Sequence, residues 1–288
     1  MKLPRFIRYR KNFKNYFNVI FHVVLNRYPV NVTLHSGNEI IAYNYGFVRV
    51  ASSGLVYSYD RANDLLQFNF SGKDLAFYGS FFNNDFADTF GFQTYSNLNV
   101  RDRVVIDVGA NIGDSPVYFA IKCASTVYAL EPMPYAYKLL KRNIEINNMG
   151  NSIIPMDCGT GKTDTKIYIE DRQIDVTGIK VGGDAKGTSV NIMTFKTLLE
   201  SLDVADKVVV LKMDCEGCEF DSILNTDDNT LGKFKEIVME YHDKPFSIIK
   251  KLHDNGFNII VDNFNVKNLD GIPEKILKSH IGYLYAFK

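Results

Sequence analysis

Several things are scarce in this chain of 288 residues, and each scarcity narrows what it can be. Its four cysteines, at 123, 158, 215 and 218, are too few and too unevenly spaced for the disulfide framework of a secreted protein of this size. Reduced thiols are the expectation. Long hydrophobic runs are lacking too: YFNVIFHVVL is too short and interrupted to span a bilayer, and no small-residue cleavage site follows it. A cytoplasmic location is therefore expected. No charge of one sign dominates, because Lys+Arg and Asp+Glu both count 33, so nothing global points to nucleic acid or to an acidic substrate. Heptads, internal repeats and low-complexity tracts are absent, which sets repeat architectures aside.

One absence is local. No acidic residue precedes Glu39, while Lys2, Arg5, Arg8, Arg10, Lys11, Lys14 and Arg27 do. Within this arm Phe13, Tyr16, Phe17, Ile20 and Val24 recur at helical spacing. Two readings stay open for residues 1–30: a first helix packed on the domain, or a basic amphipathic helix lying on an anionic membrane.

Residues 31–98 alternate short β-branched and aromatic runs (VTLHS, EIIAYN, FVRVA, LVYSY, LLQFNF) with Gly, Asn and Ser, which predicts a β-rich region without clear helices. Beyond it, over 99–288, VVIDVG, STVYALEP, SIIPMD, KVVVLKMD and EIVMEYH are apolar runs ending in polar residues. Such runs suit strands buried on both faces of a parallel sheet. Helical patterns separate most of them: Ser115-Pro116, Pro134, Thr194 and Pro245 each open one with a cap or a first-turn proline. The pattern predicts a doubly wound, mostly parallel α/β domain, closed by FNIIVDN and IGYLYAFK. An insertion, KIYIE to TSVNIM around a Gly-rich stretch, reads as a hairpin.

In such sheets ligands bind beyond the carboxyl ends of the strands. The first strand ends in Asp107-Val-Gly-Ala-Asn-Ile-Gly-Asp114 and the second in Leu130-Glu131-Pro132. Glycines at 109 and 113 let backbone approach a ligand, and Glu131 is placed for ribose hydroxyls. Charge selects the cofactor. A dinucleotide would set its pyrophosphate against Asp107 and Asp114, at about 4 kcal/mol for each close like-charge contact near an effective dielectric of 20. The ammonium and sulfonium of S-adenosylmethionine would instead be attracted.

VVIDVGANIGDSPVYFA, ALEP, SVNIMTFKTLLES, VVVLKMDCEGCEFDSIL, IVMEYH and LHDNGFNII, in that order, resemble the FkbM family of S-adenosylmethionine-dependent methyltransferases. The resemblance covers residues 98–288 and implies a class I, Rossmann-like methyltransferase fold. It also implies O-methylation of a hydroxyl on a sugar, polyketide or other small metabolite. Carried over, Asp107, Gly109, Asn111 and Gly113 would line the methionine part of the donor, Glu131 the ribose and Asp157 the adenine.

The second motif is K-x-D-x-E-G-x-E, with Lys212, Asp214 and Glu216 assigned to catalysis together with His242. Lys212 and Asp214 are two apart on one strand, and Glu240 and His242 two apart on the next, so neighbouring strands would bring these groups to one edge. A histidine with an ordinary pKa near 6.5 suits a general base for a neutral hydroxyl, with Glu216 or Asp214 orienting it or the acceptor. Alternatively, Asp214, Glu216, Glu240 and His242 offer oxygens and an imidazole to Mg²⁺ or Mn²⁺. Cys215 and Cys218 bracket Glu216-Gly217 but have no second cysteine pair and no base beside them, so they are expected to be small packing residues rather than redox or zinc groups.

Overall fold

The computed structural model describes residues 5–81, 83, 85–169 and 187–288. The chain divides into two compact units, Met1–Thr94 with Glu145–Asn147, and Tyr95–Ile144 with Asn148–Lys288.

In the first unit, α1 (Arg5–Asn12) and α2 (Tyr16–Val24) precede a hairpin of β1 (Val30–Thr33) and β2 (Glu39–Ala42). The expected aromatic stripe is not one helix face. The helix breaks at Phe13, which is fully buried and bridges Leu34, while the Lys14 amide donates to Thr33 O at 2.8 Å. The run FVRVA is also not a strand. It lies in α3 (Tyr45–Ser52), capped by the Asn44 side chain, which accepts from the Phe47 amide at 3.0 Å. Burial of Phe47, Val48, Val50 and Ala51, with the Phe47 ring 4.6 Å from that of Tyr59, overrides the strand preference of β-branched residues. A meander of β3 (Tyr57–Asp60), β4 (Leu65–Phe70) and β5 (Lys73–Tyr78) follows, and Phe86 and Phe90 pack against its Phe77 and Phe68.

The second unit holds β6 (Val104–Val108), α4 (Asp114–Ile121), β7 (Thr126–Leu130), α5 (Pro134–Ile146) and β8 (Ile153–Met156). A small sheet of β9 (Cys158–Thr160), β10 (Thr165–Ile169) and β11 (Thr188–Met193) comes next; β10 and β11 form the expected antiparallel pair, and most of the Gly-rich stretch between them lies outside the described residues. Then come α6 (Phe195–Ser201), β12 (Val209–Met213), α7 (Cys218–Leu224), α8 (Asp228–Leu231), β13 (Phe234–Tyr241), α9 (Phe246–Asp254), β14 (Asn258–Val261), β15 (Phe264–Val266), α10 (Glu274–Leu277) and β16 (Gly282–Phe287).

Eight strands form the main sheet in the order β15-β14-β16-β13-β12-β6-β7-β8. The five from β13 to β8 are parallel, and β16 inserts antiparallel between β13 and β14. Strand order reverses direction between β6 and β12, which is where open α/β sheets place their ligands. All five residues of β6 and of β12 are buried, as strands covered on both faces must be. The doubly wound α/β class read from the apolar runs is the one observed.

Candidate active site

Register builds the first cluster. Asp107 of β6 and Lys212 of β12 are directly opposed on parallel neighbours, so both side chains point to one face. They meet as a buried ion pair, Lys212 Nζ to Asp107 Oδ1 at 2.9 Å, with Asp107 wholly inaccessible. Nζ also donates to Gly109 O at 2.8 Å, and Asp107 Oδ2 accepts from Ser115 Oγ at 2.7 Å. Burial would lower the Lys212 ammonium, but Asp107 and then Asp214 raise it, so it stays charged. Burial pushes Asp107 up against the pull of Lys212 and Ser115; with an ammonium at 2.9 Å the pair remains ionised. Lys212 thus sits under the loop after β6, held by Asp107 and the Gly109 carbonyl. Ser115, expected to cap α4, is engaged by Asp107 instead; the helix starts after Gly113, at φ +102.

The loop itself is tightly wedged. A Cβ at Gly109 would lie 1.8 Å from the carbonyl oxygen of Asp214, and its φ is +76. Its glycine is required by close approach to the end of β12, beyond any requirement of a ligand. Glu131, just past β7, is nearly buried and accepts from the Asn111 and Met133 amides, each at 2.8 Å. Burial raises its carboxyl to about 7 against the opposing effect of those two amides. Asn111 Oδ1 is buried with no hydrogen-bond partner among the described residues. The wall therefore holds Asp107, Asp114 and Glu131, all buried, against one buried cation, Lys212, plus an unsatisfied acceptor. Such a lining suits a cationic ligand with donor groups and disfavours a pyrophosphate. Asp157 is exposed, one residue beyond β8.

One strand over, β12 and β13 are neighbours, and their ends gather the second cluster. His242 Nδ1 is 3.1 Å from Oε1 of Glu219, which is fully buried. A carboxylate only accepts, so the proton sits on Nδ1 and directs Nε2 toward Glu216 Oε2 at 3.6 Å and Asp214 Oδ1 at 3.9 Å. Partial burial would lower the imidazole, but Glu219, Glu216 and Asp214 raise it to about 9. The ordinary value expected from sequence is thereby corrected: three carboxylates hold the ring protonated at neutral pH. Glu216 is itself raised, by burial first and by Asp214, with His242 opposing. Glu240 is not part of this cluster, which closes on Asp214, Glu216 and His242 with ligand atoms within 4.8 Å of one another. Its carboxylate accepts from the Tyr283 hydroxyl at 2.7 Å instead, so the four-residue metal set loses one member.

The cysteines depart from expectation. Cys215 and Cys218 are joined in a disulfide, with Cα atoms 5.5 Å apart, while Cys123 and Cys158 are free. The turn between them explains it: Glu216 at φ +56 and Gly217 at φ +114 fold the chain back so that the sulfurs meet. Glu219 closes the same turn by accepting from the Cys215 amide at 3.0 Å and the Gly217 amide at 2.9 Å. Its spacing in K-x-D-x-E-G-x-E was visible, but not its hold on both turn and His242. Tyr95, whose hydroxyl reaches Asp214 Oδ2 at 3.4 Å, carried no sequence signal, because it lies in the stretch assigned to the accessory region.

Residues 107–259 match the profile of the methyltransferase FkbM domain, more than half of the chain. "Methyltransferase 1" of Beauveria bassiana is 25% identical over 186 residues, 56% of this chain and 74% of that protein. The tRNA (guanine(37)-N(1))-methyltransferase Trm5b of Methanocaldococcus jannaschii is 30% identical over 123 residues, 42% of this chain and only 31% of its own length. Among solved structures, M. jannaschii TYW2 in complex with AdoMet aligns over 80% of this chain and 86% of that one at 14% identity and a TM-score of 0.40. On the match over residues 107–259, the chain belongs to the FkbM methyltransferase family.

Proposed function

We propose that this chain transfers a methyl group from S-adenosylmethionine to a hydroxyl oxygen of a small acceptor such as a sugar, a polyketide or another metabolite. The observation that supports this most is the adjacency of two unlike strand ends. The ends of β6 and β7 present buried acids and the unpaired Asn111 Oδ1; the ends of β12 and β13 present His242 among carboxylates. When bound, the donor supplies an already activated methyl on a sulfonium, so positioning by the protein accounts for most of the rate. Asn111 and the 109–113 backbone would hold the cationic end, Glu131 would accept from the ribose hydroxyls, and Asp157 would serve the adenine.

On the acceptor side, His242 Nε2 removes the hydroxyl proton as the oxygen attacks the methyl carbon and the carbon–sulfur bond breaks. Glu219 holds the ring through Nδ1, and Asp214 and Glu216 bind or orient the acceptor. With the imidazole at about 9, only about 1% is neutral at pH 7. Turnover then climbs with pH toward 9 rather than levelling near neutrality.

A second reading rests on a specific observation: Asp214, Glu216 and His242 offer three ligand atoms within 4.8 Å, and the imidazole is oriented by a buried carboxylate, as metal-binding histidines commonly are. Mg²⁺ or Mn²⁺ held there would polarise the hydroxyl directly. The deciding experiment is a calorimetric donor titration with a nicotinamide dinucleotide as control, then an acceptor screen with isotopically labelled methyl groups, with and without EDTA. Some relatives are named for tRNA, so tRNA joins the small molecules in the screen. Micromolar donor binding and label on a small-molecule oxygen support the reading. A folded chain that binds no donor is a binding module, and label only on tRNA replaces the acceptor class.

A further inference from the structure

The first two helices leave an apolar face uncovered. In α2, Phe17, Phe21 and Val24 are 69%, 54% and 75% exposed, and Leu25 just beyond it is 45% exposed. At 100° per residue these four lie within one arc of about 100°, while fully buried Val19 lies on the opposite side. Phe6 and Ile7 of α1 are about half exposed as well. A helix whose only function was packing would turn these residues inward. Here the inward positions are taken by Tyr9, Phe13 and Val19, and the larger apolar set faces out.

Charge limits what can cover that face. Seven Lys and Arg residues and no Asp or Glu occupy positions 1–38, although the whole chain has as many acidic as basic residues, and Arg10, Lys11, Lys14 and Arg27 are exposed. A second copy would bring two such arms together with no acid on either to relieve the repulsion. A nucleic acid would satisfy the cations and could stack on phenylalanines, but it offers nothing to Ile7, Val24 and Leu25. An anionic bilayer matches both parts, with acyl chains taking the apolar face and headgroups the Lys and Arg. We propose that α1 and α2 attach this protein peripherally to anionic membrane, with Phe17, Phe21 and Val24 inserted at the headgroup–acyl boundary. Attachment, not spanning, is the mode: among the described residues no helix is long and apolar enough to cross a bilayer.

The chain has no tryptophan, so Phe21→Trp creates a single reporter at the centre of the face. The full-length variant is mixed with phosphatidylcholine vesicles, with or without phosphatidylserine, and its emission and its quenching by brominated acyl chains are recorded. A blue shift and quenching only with phosphatidylserine, both weakened by salt, are expected. Cosedimentation of Phe17→Ser/Phe21→Ser/Val24→Ser should show vesicle affinity reduced at least tenfold, with the thermal midpoint and monomer mass unchanged because these side chains are exposed. Three results overturn the proposal: no spectral change on anionic vesicles, unchanged vesicle affinity of the triple variant, or a wild-type dimer that the triple variant dissociates. Tighter binding to an unstructured RNA than to anionic vesicles at physiological salt also overturns it.

Discussion

Glu131→Gln separates what the buried acid does for stability from what it does for ligand binding. The carboxyl is 5% exposed and raised to about 7 from an ordinary value of 4.5. Because the folded state holds this proton more tightly than the unfolded chain, its contribution to stability is complete below about pH 4.5. It is then lost as pH rises through about 7. Over pH 5 to 8 the loss amounts to about 2.5 kcal/mol, at 1.36 kcal/mol per pKa unit. Glutamine has no such dependence, but its NH₂ must face either the Asn111 or the Met133 amide, a pH-independent cost of roughly 1–3 kcal/mol. The variant should therefore be less stable than wild type at pH 5 and close to it at pH 8. Urea unfolding of both proteins across that range measures the difference. A stability difference flat to within about 0.5 kcal/mol would mean that Glu131 does not titrate there, and the account of its burial fails. Under the proposed function, wild-type donor affinity rises with pH through about 7, as the carboxylate becomes able to accept from the ribose. Glu131→Gln should lose roughly tenfold to a hundredfold in that affinity, the usual worth of hydrogen bonds to a charged group.

Lys212→Met strands Asp107 as an uncompensated buried charge, so unfolding free energy should fall by about 3–5 kcal/mol, and Asp107→Asn/Lys212→Met together should recover part of it; no recovery would deny that the pair is coupled. His242→Ala and Glu216→Gln should keep donor affinity while turnover drops about 10²- to 10⁴-fold, and parallel loss of donor binding would move them into the donor pocket. The wild-type pH–rate profile arbitrates the mechanism: a rise toward about 9 insensitive to EDTA fits the base, whereas abolition by EDTA and rescue by Mg²⁺ or Mn²⁺ fits the metal. Replacing Cys215 and Cys218 with Ser removes closure of a four-residue loop, expected to lower stability by about 2 kcal/mol without loss of donor binding. Inactivity of the folded double variant would show that the disulfide shapes the acceptor turn.

Local pattern alone determined the α/β class, most strand and helix positions after residue 99 and the two motif-bearing strand ends. The reason is that buried parallel strands and their capping residues leave signals within a few neighbours. VVIDVG and VVVLKMD read as strands because all five residues of each resulting strand are buried. What failed was set by partners distant in sequence. FVRVA became a helix because aromatic residues from β3 pack on Phe47. Lys212 went to Asp107, 105 positions away, because the β6–β12 register opposes them, so its ion-pair partner lies at the end of β6 and not in the His242 cluster. The imidazole rose from an ordinary value to about 9 only because a turn at Glu216-Gly217 and a neighbouring strand end placed three carboxylates around it. Residue type and spacing thus determined which chemistry the chain carries, while pairing register and burial, which no local window contains, decided the charge state and the partner of each group.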